Sequence, residues 1–136
     1  MTIEARLVQA AGARRSLTLL GNGRHGWLAD VDRTLGGTDA APDPHDLLDS
    51  ALAACTALTL ELYIRRKGWA VAGVHVTVAH EEGKTDDGRM RYALRRSICI
   101  DGALADDDRV RLLDIANKCP IHRILSGEIR IATELA

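Results

Sequence analysis

With 136 residues and a formal net charge of −1, the chain has room for one domain and too little for two ordinary ones. The near-neutral balance argues against nucleic-acid binding, which draws on a basic excess, and two Trp, two Tyr and no Phe leave little for base stacking. Hydrophobic content of 46% and charged content of 27% fit a soluble globular protein whose core is built from Leu, Ile, Val and Ala.

Residues 1–9 alternate apolar and charged side chains and lack the apolar stretch of a signal peptide. Residues 2–8 read as a strand, with Ile3, Ala5 and Leu7 on one side. Residues 16–20 form a second short strand, and Gly21-Asn22-Gly23 is a turn leading into a third at 26–32. A loop rich in Gly, Asp and Pro follows over 36–44. Asp43 as cap and Pro44 in the first turn then open a helix over 45–67, closed by Gly68. It would be about six turns long, roughly 34 Å. Its apolar residues between Leu47 and Ile64 cover nearly every face, so it must be buried in a core or a subunit interface. A domain this small struggles to surround such a helix alone, which motivates a dimer. No stretch reads as a membrane span; the nearest, 51–64, carries Thr56, Thr59 and Glu61. The expected compartment is the cytoplasm, with no membrane partner.

Residues 70–80 and 89–100 read as paired strands around a charged turn at 81–88. An amphipathic helix over 106–118 opens on three aspartates, which suit the positive end of the helix dipole. Pro120 restarts the chain, 121–125 is a short helix, and 128–133 is a last strand. The order βββ–α–ββ–α–β is an α+β pattern with mostly antiparallel pairing.

Three cysteines do not make a disulfide framework, and in the cytoplasm a cysteine pair is redox-active or metal-binding more often than structural. Cys55 sits mid-helix; taken alone, it reads as a small core residue. Cys119 precedes Pro120, so it can cap a new helix whose free N–H groups favour a thiolate; Lys118, His122 and Arg123 add positive potential. The plainer alternative is a helix–helix joint with a buried Cys. Cys119 and His122 have a zinc-compatible spacing but no second tight ligand pair, so no metal is expected. Arg24, between Gly23 and His25-Gly26, is either solvated or aimed into a site that the flanking glycines let the backbone approach. Cys99, between Ile98 and Ile100, reads as structural.

The segment Pro44-His45-Asp46-Leu47-Leu48, continued by Ala53-Ala54-Cys55, resembles the first-cysteine helix of the OsmC/Ohr family. Residues 112–120, Leu-Leu-Asp-Ile-Ala-Asn-Lys-Cys-Pro, resemble that family's second-cysteine block, and the 21–26 turn resembles its arginine-bearing turn. The resemblance covers nearly the whole chain. It implies a single OsmC-like domain over 1–136, with antiparallel sheets packed around long central helices in an intertwined homodimer. It also implies a thiol peroxidase without a cofactor. Cys55 would attack an organic hydroperoxide or hydrogen peroxide, Cys119 would resolve the sulfenate as a disulfide, Arg24 would support the thiolate, and an external thiol or dithiol would reset the pair. His45 stands where the organic-peroxide branch has a glutamate, and the acid comes one residue later as Asp46; both are candidate supporting residues. The alternative is a non-catalytic member of the same fold that binds a hydrophobic small molecule in a pocket lined by the apolar helix pair.

Overall fold

A computed structural model describes residues 1–8 and 16–136; the end of the alternating N-terminal segment, at Gln9, lies outside the described residues. The chain divides into two compact units, Met1–Leu48 and Asp49–Ala136.

In the first unit, β1 (Glu4–Leu7), β2 (Thr18–Gly21) and β3 (Gly26–Ala29) form an antiparallel sheet in that order. The expected turn closes it. The Asn22 side chain accepts from the backbone N–H of Arg24 (3.0 Å) and His25 (2.8 Å), and Gly23 adopts a φ of 83° that suits its missing Cβ. After β3 the chain wraps around the carboxylate of Asp30 and makes a single 3-10 turn at Arg33–Leu35, between the expected strand and loop. Asp32 causes that turn by accepting from the N–H groups of Thr34 and Leu35.

Helix α1 (Pro44–Lys67) starts and stops where local chemistry dictates. Asp43 accepts from the Asp46 N–H at 2.9 Å, and Asp46 accepts from the Asp43 N–H at 3.1 Å, a reciprocal capping box. At the other end Gly68 takes a left-handed φ of 69°, while Gly68 N–H donates to Arg65 O and Trp69 N–H to Ile64 O. Among the described residues it is the one helix long and apolar enough to cross a membrane by length and composition alone, which corrects the expectation that no stretch comes near. The core helix of a soluble protein passes the same test.

The second unit packs α1 from Asp49 onward against a hairpin of β4 (Val71–Lys84) and β5 (Met90–Gly102), with α2 (Asp106–Asn117) and α3 (Pro120–Leu125). Both strands run further than their apolar alternation, because backbone pairing continues through Glu82↔Tyr92 to Lys84↔Met90 whatever the side chains are. Leu60, Ile64, Leu112 and Ala116 form the buried centre, with Trp69, Val74, Ile98 and Ile100 around it. Tyr63 and Trp69 meet edge to face, centroids 5.6 Å apart.

One expectation is corrected. Residues 128–136 hold no regular structure, because a strand exists only where a neighbour pairs with it and none does so among the described residues. Within the chain, α1 buries only the stripe Leu52, Thr56, Leu60 and Ile64, spaced every four residues; Leu58 and Leu62 stay 63% and 56% exposed. The fold class is α+β, with antiparallel sheets as expected.

Candidate thiol site

The second unit brings Cys55 and Cys119 close enough for each thiol to perturb the other's ionisation. Cys55 is half-buried on α1, one residue before the buried stripe member Thr56. Cys119 is fully buried and caps α3, as its place before Pro120 predicts; its Sγ accepts from the His122 N–H at 3.4 Å. The Ile121 N–H favours the ionised form of both thiols, so the start of α3 bears on both. Cys55 thereby receives from a neighbouring helix what its own mid-helix position cannot supply.

The surroundings push the two thiols apart. Burial raises the Cys55 thiol, and the neighbouring Cys119 raises it further, against donors from Ile121 and Thr59. Burial also pushes Cys119 up, but donors from the His122 N–H, the Cys55 thiol, the Thr56 hydroxyl and the Ile121 N–H together outweigh it, and Cys119 ends below the ordinary thiol range.

Arg96, which the sequence reading did not single out, completes the site. It sits on the inward face of β5 between Leu94 and Ile98. Its Nη1 donates to Thr56 Oγ1 (2.9 Å) and Ala116 O (3.2 Å), and its Nη2 donates to Asn117 Oδ1 (2.8 Å) and lies 3.3 Å from His122 Nδ1. Thr56 Oγ1 in turn lies 3.9 Å from Cys119 Sγ and 2.7 Å from Leu52 O. The one signal available was the alternation of Tyr92, Leu94, Arg96, Ile98 and Ile100, in which a cation occupies an apolar register position. Arg96 and His122 also line a cavity of about 490 Å³ whose walls include Leu52, Leu94, Ile98 and Leu113.

Arg24 is exposed in the β2–β3 turn of the first unit. His45 is exposed, 3.8 Å from Asp43, and the Asp46 carboxylate is engaged in the helix cap. Because α1 is unbroken, the ten residues from His45 to Cys55 span about 15 Å of helix. Cys99 is exposed on the outer face of β5 opposite His75, because Ile98 and Ile100 take the inward positions. All three cysteines are free.

Residues 37–134 match the OsmC-like protein family, and the chain belongs to that family. No curated protein matches the sequence. Among solved structures, an OsmC-like protein from Mycoplasma pneumoniae is similar at 19% identity with a TM-score of 0.76, over 93% of this chain and 86% of that one. An organic hydroperoxide resistance protein from Elizabethkingia anophelis aligns at 22% identity and a TM-score of 0.69, over 93% and 89%. The organic hydroperoxide resistance protein OhrB of Bacillus subtilis aligns at 16% identity and 0.66, over 93% and 92%. At these identities the likeness is one of fold.

Proposed function

We propose that the protein is a cytoplasmic thiol peroxidase in which Cys55 is the attacking thiol and Cys119 the resolving one. The observation that carries the reading is the meeting of Cys55 and Cys119 at the start of α3, where the His122 N–H donates to Cys119 Sγ. The Cys55 thiolate attacks one oxygen of an organic hydroperoxide or of hydrogen peroxide. The O–O bond breaks, the leaving oxygen takes a proton to become an alcohol or water, and Cys55 becomes a sulfenic acid. The Cys119 thiolate attacks that sulfur, hydroxide leaves and is protonated to water, and a disulfide remains. An external thiol or dithiol reduces it by exchange. Because burial raises the Cys55 thiol, the attacking form needs a cation, and Arg24 is the proposed one, with His45 and Asp46 supporting it.

The working form in this reading is a homodimer. The exposed Leu58 and Leu62 give α1 a face to bury, and an antiparallel partner helix would bring its own His45 and Asp46 beside Cys55. Sedimentation at micromolar concentration should give twice the chain mass; a stable, active monomer would sink the arrangement.

One equivalent of cumene hydroperoxide should remove two thiols per chain rapidly, with Cys55 and Cys119 joined and Cys99 reduced on peptide mapping. Cys55→Ser should lower peroxide consumption at least about 100-fold while keeping the fold. Wild-type turnover in that variant would refute the assignment. The cavity beside Arg96 favours a second reading, a binder of a hydrophobic small molecule, for which no thiols would be lost.

A further inference from the structure

We infer that Arg96 is a positioning residue for Cys119, acting through the Thr56 hydroxyl; as a role in the resolving step, this rests on the thiol-peroxidase reading above. A guanidinium on the inward face of a strand needs a reason, since burying a charge is costly and Leu or Val would fill the register. An ion pair is not the reason. The four partners of Arg96 are a hydroxyl, a backbone carbonyl, an amide oxygen and an imidazole nitrogen, and no carboxylate pairs with it among the described residues. Its positive charge is therefore held in place without being neutralised.

Each partner belongs to an element that carries the thiol pair. Thr56 follows Cys55 on α1. Ala116 O, at the end of α2, is also the acceptor of the Cys119 N–H at 3.2 Å. His122 lies on α3, and its own N–H donates to Cys119 Sγ. One rigid planar fork thus clasps the three helices that hold the two sulfurs.

The Thr56 hydroxyl is the link. It has one proton and two lone pairs. Arg96 occupies a lone pair, so the proton goes either to Leu52 O at 2.7 Å or toward Cys119 Sγ at 3.9 Å. With Cys119 as a neutral thiol, the carbonyl is the better acceptor. With Cys119 as a thiolate, the hydroxyl gains by turning to the sulfur, and the cation behind it strengthens that donation. The Arg96 contact to His122 Nδ1 makes that nitrogen an acceptor and leaves the ring proton on Nε2. Among the described residues, the titratable and charged groups facing Cys119 are Cys55 from α1, Arg96 from β5 through Thr56, and His122 from α3. In the resolving step this arrangement keeps Cys119 anionic and aimed while it displaces hydroxide from the Cys55 sulfenic acid.

The test uses the full chain and three variants. Arg96→Met removes the charge at similar length, Arg96→Lys restores charge without the fork, and Thr56→Val removes only the hydroxyl at constant shape. The first readout needs no peroxide: iodoacetamide labelling of each cysteine against pH, resolved by peptide mass. The Cys119 midpoint should rise by about one pH unit in Arg96→Met and in Thr56→Val, with Arg96→Lys between these and wild type and the Cys99 profile unmoved. The second is dimedone trapping after one equivalent of cumene hydroperoxide. The trapped Cys55 sulfenic acid should rise about tenfold in Arg96→Met, because condensation slows by the factor lost in thiolate. An unmoved Cys119 profile in a folded Arg96→Met or Thr56→Val variant overturns the inference. Shifted profiles with no peroxide consumed by wild type uphold the hold of Arg96 on Cys119 and overturn the peroxidase reading instead.

Discussion

Asp30 in the first unit and Arg96 in the second are both charges drawn in from solvent, and the two units use them differently. Asp30 is only 2% exposed. Its carboxylate accepts from the Ser16 hydroxyl, the Thr38 hydroxyl at 2.5 Å, and the N–H groups of Val31, Thr38 and Ala40 at 2.8, 3.3 and 3.1 Å. The Ser16 and Thr38 hydroxyls foremost, then the Ala40 and Val31 N–H groups, hold this carboxyl far below the ordinary range. Its donors come from Ser16 and from its own chain within ten residues, so its charge is spent on shaping one loop. Arg96 gathers partners from three helices, borders a cavity and stands one hydroxyl from a thiol. A charge enclosed by short-range donors is structural; a charge clasped by distant elements beside an open cavity has its field left over for chemistry.

Heat should separate the two. Asp30→Ala leaves five donors without their acceptor and should lower the melting midpoint by about 5–10 °C. Arg96→Met, whose abandoned partners can be wetted through the cavity, should lose about 3–5 °C while producing the larger change in thiol reactivity. Equal thermal losses would erase the distinction. Acid sharpens it further. The folded pKa of Asp30 lies below its unfolded value, so its contribution is fully present above the ordinary carboxylate pKa, about 3.9. It is lost as pH falls toward the folded value. The gap between wild type and Asp30→Asn should therefore be constant from pH 7 to pH 5 and shrink by pH 3; a constant gap at pH 3 would contradict the assigned ionisation.

What was legible in the sequence was local. Asp43-Pro44 and Gly68 bound α1, and Cys119-Pro120 caps α3, because each signal acts within a turn of chain. The two cysteine motifs singled out Cys55 and Cys119, which the structure brings close together. Arg96 was hidden because Arg95-Arg96 reads as a solvated pair, yet strand alternation sends Arg95 out toward Glu81 and Arg96 in toward Thr56. Thr56 was masked by its helix, where a hydroxyl usually returns its proton to the preceding turn, as this one does to Leu52 O. The strand expected at 128–133 failed for the opposite reason: its pattern is local, but the partner it requires is not.

Asp49 offers the finest discrimination, because it lies between the two extremes. It is on α1, one turn before Leu52, and its carboxylate ties the helix to both strands of the hairpin. Oδ1 accepts from the Tyr92 hydroxyl at 2.8 Å, and Oδ2 lies 2.5 Å from His80 Nδ1. His80 and Tyr92 stack with centroids 4.7 Å apart, so the two donors brace each other. Like Asp30, this carboxylate is held by donors; like Arg96, it joins separate elements, and Tyr92 borders the same cavity. Asp49→Asn preserves the oxygen that Tyr92 needs and replaces the one facing His80 with an amide. The ring must then accept through Nδ1 where it had donated, a change of tautomer that costs little while His80 is neutral. The expected loss is about 2 °C in the melting midpoint, the smallest of the set, with no change in the Cys119 labelling profile. If Asp49→Asn moved that profile as far as Arg96→Met does, the cavity would be transmitting field from its far end, and Arg96 could no longer be singled out as the residue that sets Cys119.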